Sequence, residues 1–252
     1  MKFLQTAVSA FFVISSLLLV KAPATLLDAG LDAATAGRLR LVTAEGTLWS
    51  GQGRLEIRDA ASAAVFSSPV TWSLQKSQLL LARMAVNFSI ADQLQPSTAT
   101  IKLSALEFTN LEFALPAAAL AQVMAQLVPA TKGYGVGGML SVRADALTFS
   151  RAATVGSMVL EWQNASSILA PLSPLGSYAL RLDGSPAPAQ VSVALQTLQG
   201  PLQLDGGGRI GANQQVAMSV TARLPPAEYI EMAPLLQLIA VESSDGSFLL
   251  QL

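Results

Sequence analysis

RLRLVTAEGTLWSGQGRLEIRDA, residues 38–60, decides the fold class of this chain. Leu39 and Leu41, then Leu48, then Leu55 and Ile57 stand against Arg54, Glu56 and Arg58. Apolar and polar residues that alternate with a period of two describe a half-buried strand, because successive strand side chains point to opposite faces. In the middle sits GTLWSG. Gly46 and Gly51 permit a tight turn into a strand and a bulge or close backbone approach. Thr47 and Trp49 favour strand, with Leu48 on the opposite face.

The same style continues outward. VTWSLQ (Val70 to Gln75) and LLLARMAVNFSI (Leu79 to Ile90) read as strands, and ATIKLSALEFTNLEFAL (Ala99 to Leu115) holds one or two more. GGMLSVRADALTFS (Gly137 to Ser150) starts a second set. Met158 to Trp162, Ser177 to Asp183, Ala189 to Thr197, Pro201 to Leu204, Val216 to Leu224 and Phe248 to Leu252 look extended. Two short helices interrupt the strands. Leu120, Val123, Met124, Leu127 and Val128 recur at helical spacing between Pro116 and Pro129. Ile230, Met232 and Leu236 follow Pro225-Pro226, with Pro234 expected to kink or split that helix. TLLDAGLDAATAG (Thr25 to Gly37) reads as a further short helix, capped by Thr25 and ended by Gly37. The expected fold is mainly β, with curved antiparallel sheet and two short helices covering it.

An internal duplication is a second organising possibility. GTLWSG, GGMLSV and DGSFLL each open a strand after a helix. Trp72 lies 26 residues after Gly46 (72 minus 46), and Trp162 lies 24 after Gly138 (162 minus 138). The exported body, 46–252, would then divide into halves 46–136 and 137–252, after a membrane-proximal connection at 22–45.

Composition narrows the functions. Of 252 residues, 52% are hydrophobic and only 12% charged, so the chain can bury a large core and disorder is not expected. A net charge of -1 with scattered Lys and Arg leaves no basic footprint for nucleic acid. With no cysteine there are no disulfides or thiolate sites, and with no histidine Ser-His-Asp and Cys-His chemistry are excluded. Carboxylate chemistry from Glu45, Glu56 and Asp59, or from Glu107 and Glu112, is formally open, but alternating strands put such groups in solvent by default. Gly133, Gly135 and Gly138, and again Gly206, Gly208 and Gly211, match G-x-G-x-x-G. Neither match has a strand before it and a helix after it, so both read as hairpin and connection glycines. No catalytic, cofactor or metal residue is assigned, and no enzyme activity is expected.

MKFLQTAVSAFFVISSLLLVK opens the chain, and Phe3 to Val20 carries no charge. Eighteen helical residues span about 27 Å, which just suffices for a hydrocarbon layer of about 30 Å. The segment is read as a single transmembrane anchor behind a short cytoplasmic stub (1–21). The alternative is a signal peptide cut after Ala22-Pro23-Ala24. Both readings export the remainder.

The tryptophans complete the reading. Trp49, Trp72, Trp162 and Tyr178 are expected to be packing anchors or interface residues. Trp49 has a further option, contact with lipid headgroups or a partner at the membrane-proximal rim. GTLWSG behind an apolar anchor, VTWSLQKSQLLLARMAVNFSI, and above all VLEWQNASSILAPLSPLGSYALRLDG (Val159 to Gly184) resemble the type II secretion system protein N family. Glu161-Trp162, Asn164-Ala165, Leu169, Pro174-Leu175-Gly176 and Tyr178 fall where that family carries its pattern, and GPLQLDGGGRI (Gly200 to Ile210) extends it. The resemblance implies a single-pass inner-membrane protein with a periplasmic domain, an accessory or assembly subunit for export of folded proteins across the outer membrane. Its implied partners are other inner-membrane secretion components and the outer-membrane secretin. The alternative from the residues is a periplasmic lipid-binding or lipid-transfer protein with an apolar sheet groove of the AsmA type, for which Leu79-Leu80-Leu81 and Leu249-Leu250 supply apolar surface.

Overall fold

A computed structural model describes residues 21–59, 61–79, 81–91, 93, 95–127, 135–187, 189–211 and 215–251. The Phe3 to Val20 segment, Val128, Gly133 and Leu252 lie outside the described residues. Among those described, no helix is long and apolar enough to cross a membrane. The chain forms two compact units, Met1–Leu94 and Gln95–Leu252.

The first unit begins with α1 (Thr25–Thr35) and continues as an antiparallel meander, β1 (Leu39–Thr47), β2 (Ser50–Arg58), β3 (Ala64–Leu74) and β4 (Met84–Ile90), with α2 (Lys76–Leu79) before β4. Alternation sets the buried face: Leu41, Ile57 and Trp72 are buried while their strand neighbours are more exposed. Leu27 and Leu31 of α1 pack on a core of Ala24, Leu41 and Trp72, joined by Val70, Val86 and Phe88. Asp28 ties helix to sheet, accepting from Arg40 Nε at 2.9 Å, from Arg40 Nη2 at 2.7 Å and from the Leu41 N–H at 2.8 Å. Ala24, not Thr25, is the N-cap, and no side chain bonds there. At the other end Ala36 is left-handed, with Gly37 following at φ 81°.

Three expectations change here. GTLWSG does not open a strand: Thr47 ends β1, Ser50 starts β2, and Leu48-Trp49 is the two-residue turn between them. The Thr47 hydroxyl makes this possible without a central glycine, accepting from the N–H groups of Trp49 (3.3 Å) and Ser50 (3.2 Å). The strand expected from Leu79 starts only at Met84. A short apolar run is ambiguous between helix and strand, and Lys76–Leu79 takes the helical turn. The helix expected at Thr25 to Gly37 forms over Thr25–Thr35, and the added helix at Lys76–Leu79 makes the total four among the described residues.

The second unit is an antiparallel sheet of ten strands: β5 (Ser97–Ile101), β6 (Ala105–Pro116), β7 (Val136–Ser150), β8 (Thr154–Ser167), β9 (Gly176–Pro186), β10 (Ala189–Gln199), β11 (Gln203–Gly211), β12 (Val216–Arg223), β13 (Val241–Glu242) and β14 (Phe248–Gln251). They lie in chain order except that β14 comes between β12 and β13. α3 (Ala117–Leu127) packs on β7 and β6, and its Ala117 and Ala119 are buried. α4 (Pro226–Leu236) lays Met232, Ala233 and Leu236 on Leu202, Ala222 and Phe248. Pro225 caps it and Pro226 starts it, where a missing N–H costs nothing. Pro234 does not split it, since it falls in the last turn and removes only one intrahelical bond.

Register places whole rows on one face. Val142, Leu160, Leu180 and Leu195 stand side by side across β7 to β10, and Arg143, Val159, Arg181 and Ala194 form the row on the opposite face. Gly206, Gly207, Gly208 and Gly211 lie inside β11, not in a connection; β11 runs to Gly211 where the sequence suggested an end at Leu204. Gly138 also lies within a strand, at an irregularity in β7.

Candidate interaction surfaces

The GTLWSG turn and Trp72 make one structural unit. Trp72, on β3, is 8% exposed, and its indole N–H donates to the Thr47 carbonyl at 3.2 Å. Gly51 faces its ring in the Gly51–Trp72 register pair. A Cβ at Gly51 would lie 2.6 Å from Trp72 Cζ2, so the indole rests on bare backbone. Trp49, at the turn, is half-buried, and its carbonyl accepts from the Leu74 N–H at 2.6 Å. The turn is also fastened to the chain that enters the unit: Leu48 N–H donates to the Ala22 carbonyl at 2.8 Å, Ala24 N–H donates to Gly46 at 3.3 Å, and Pro23 bridges to Thr47.

In the second unit, Trp162 and Tyr178 are register partners on β8 and β9, with ring centroids 6.4 Å apart and planes at 57°. Half-buried Trp162 donates its indole N–H to the Gly137 carbonyl at 2.9 Å. Tyr178 is buried and donates its hydroxyl to the Leu202 carbonyl at 2.9 Å; burial pushes that hydroxyl's pKa up to about 12. Gly176 is required beside it, since a Cβ there would meet the Gln199 carbonyl and the Tyr178 hydroxyl, each at 2.8 Å. Leu175 continues the seam, donating to Ala165 at 2.7 Å and accepting from Leu202 at 3.0 Å. The Pro-Leu-Gly-x-Tyr stretch and GPLQL, which the sequence separates, therefore lock onto each other. That Gly51, Thr47, Gly137 and Leu202 are the partners of the three buried or half-buried rings is not legible in the sequence, because each contact is made across strands.

The titratable groups have local structural partners. Glu45 accepts from Gln52, Glu56 from Arg58, Glu112 from Arg143 and Glu107 from Lys102, while Asp59 accepts from the N–H groups of Ala61 and Ala63 in a turn. Among the described residues no group of three or more acidic side chains could hold a metal ion. A depression of about 580 Å³ in the second unit is lined by Val159, Ala194, Leu195 and Leu198 with Arg143, Glu161 and Arg181 among them. It offers charge and no nucleophile beside a base.

A different surface is apolar. Ile230 on α4 is 80% exposed, and Leu238, Ile239 and Val241 beyond it are 80%, 63% and 73% exposed. Val241 lies on β13, the outer strand of this sheet, which pairs only with β14 among the described strands. The Glu242 carboxylate holds this segment to α4, accepting from the Tyr229 hydroxyl and from Gln237 Nε2, and those bonds keep its pKa below the usual carboxylate range. The exposure of Leu238, Ile239 and Val241 is visible only in the fold.

The family described as Type II secretion system (T2SS), protein N matches residues 37–251. The chain belongs to that family. The match covers both units, including GTLWSG, the Trp162–Tyr178 pair and the segment bearing the exposed apolar residues. This T2SS protein N family member is thereby tied to type II protein secretion, and its family is an accessory component of that machinery. No curated protein and no solved structure matches the chain.

Proposed function

We propose that this protein is an inner-membrane accessory or assembly subunit of the type II secretion system, supporting export of folded proteins across the outer membrane through protein–protein contacts. The family match over residues 37–251 carries the reading. Phe3 to Val20 is the single-pass anchor, and the body beyond it lies in the periplasm. Its partners are other inner-membrane components of the system and the outer-membrane secretin. Trp49, Trp72, Trp162 and Tyr178 serve as structural or interface residues, not as catalytic groups. The exposed side chains Leu238, Ile239 and Val241, close together in one segment beside Ile230, offer an apolar surface for such a contact.

The body is organised as a membrane-proximal connection at 22–45 and a β-rich domain at 46–252, whose halves 46–136 and 137–252 descend from one duplicated segment. Two bonds support this. Each indole N–H reaches a carbonyl 25 residues upstream, Trp72 to Thr47 and Trp162 to Gly137.

The test is photo-crosslinking in the cell envelope from a probe at Ile239, together with deletion of the whole chain. Capture of a secretion component and retention of cargo in the periplasm on deletion are expected. Normal secretion without the protein, with no secretion component captured, sinks the proposal. Nothing in the comparisons favours the lipid-transfer alternative.

A further inference from the structure

We infer that the Leu48-Trp49 turn is a membrane-contacting element, with the Trp49 indole seated in the headgroup layer of the bilayer that holds Phe3 to Val20. The inference rests on the anchor reading above and extends it to a specific contact.

The argument is one of reach. Val20 is the last residue of the uncharged stretch, and Ala22 is already part of the folded first unit, 6% exposed, with its carbonyl bonded to Leu48 N–H at 2.8 Å. Two residues of chain extend at most about 7 Å. The Leu48 backbone nitrogen therefore lies at most about 12 Å along the chain and hydrogen bond from Val20. The polar layer on each side of the hydrocarbon is roughly 5–7 Å thick. Even fully extended, this connection lets the turn backbone stand no more than about 5–7 Å beyond that layer, a gap that the Trp49 side chain can cross.

Two further bonds remove the freedom to swing away. Ala24 N–H donates to the Gly46 carbonyl and Pro23 bridges to Thr47, so the incoming chain runs as an added edge beside the end of β1. Ala24 is 1% exposed in the core that holds Trp72, which makes the attachment part of the unit's packing.

The side chains suit the place. An indole combines apolar area with one polar N–H and concentrates at membrane–water interfaces. Leu48 flanks Trp49, and Leu26, 52% exposed at the start of α1, lies one turn from Pro23, to whose carbonyl its N–H donates. Lys21 is exposed between the span and the unit, where an ammonium reaches phosphate. The turn is held by the Thr47 hydroxyl, which accepts from the Trp49 N–H, and by backbone bonds to Ala22 and Leu74, so Trp49 is presented on a rigid support.

The chain has no native cysteine, so single-cysteine probes are unambiguous. Trp49→Cys and Leu26→Cys of the full chain, and Ala61→Cys as a control, are labelled with an NBD fluorophore and reconstituted into phosphatidylethanolamine–phosphatidylglycerol vesicles. Ala61 lies beyond the far end of β2, about 30 Å along that strand from the turn. Lipids carrying a nitroxide on the headgroup or high on the acyl chain are then added. The expected result is a blue-shifted emission and at least twofold stronger quenching at positions 49 and 26 than at position 61. Leu26→Cys keeps Trp49 in place, so a folding defect in Trp49→Cys does not remove the test. Vesicle-bound protein with equal, weak quenching at all three positions overturns the inference and leaves the anchor standing. Protein that fails to float with the vesicles overturns both.

Discussion

Replacing Gly51 by alanine is expected to loosen the first unit selectively. The new Cβ would lie 2.6 and 3.0 Å from two carbons of the Trp72 ring and 2.2 Å from the Glu45 carbonyl. Carbon atoms in contact prefer about 3.5–4.0 Å, so strand or ring must give by roughly 1 Å. The ring has little freedom: it is 8% exposed, and its indole N–H, beside the clashing Cζ2, is held by the bond to Thr47. Overpacking of this kind costs about 1–3 kcal/mol. Expulsion of the indole raises the cost toward the ~3–5 kcal/mol of truncating a buried tryptophan. Hydrogen exchange by mass spectrometry on the full chain reads the effect locally, with peptides from the second unit as an internal reference. At tenfold per 1.4 kcal/mol, a cost of about 1–3 kcal/mol becomes roughly 5- to 140-fold faster exchange in peptides covering β1 to β3. The double variant with Trp72→Leu separates the two conflicts. Removing the ring relieves its share of the clash, so Gly51→Ala costs less in that background, and only the Glu45 conflict remains. Exchange within twofold of wild type in Gly51→Ala, or strict additivity in the double variant, refutes the idea that Trp72 rests on the bare backbone of Gly51.

Three further outcomes follow from the geometry. Tyr178→Phe removes the bond to Leu202 and leaves that carbonyl unpaired, at a cost of about 1 kcal/mol measured by urea denaturation. The Tyr178 hydroxyl titrates at about 12 when folded against about 10 when unfolded, so its contribution is complete below pH 10 and is lost as pH rises from 10 to 12; the Phe variant shows a shallower alkaline loss of Tm. Asp28, held low chiefly by its hydrogen bond from Arg40, works in the opposite sense. Its contribution is present above an unfolded value of about 3.9 and is lost as pH falls through the lower folded value, so exchange in α1 and β1 accelerates in acid and Asp28→Asn flattens that dependence. Phe248→Ala empties the fully buried centre of the α4 core and is expected to cost ~3–5 kcal/mol in urea unfolding followed by circular dichroism.

By itself, the sequence was enough for the strand-rich class, for the helices after Pro116 and Pro225, and for the family. Period-two alternation encodes which face a strand buries, and proline stops are local. The tertiary structure alone decided that GTLWSG is a turn, since a threonine hydroxyl there replaces the glycine that turn chemistry ordinarily signals. It alone decided that Gly51 lies under Trp72 and that Gly176 lies beside the Tyr178 hydroxyl. Those contacts depend on cross-strand register, and alternation names a face without saying which residue of the next strand stands opposite. Leu238, Ile239 and Val241 show the same limit from the other side: their hydrophobicity is local, but their exposure is set by where the sheet ends, and β14 takes the place beside β12 that leaves β13 outermost.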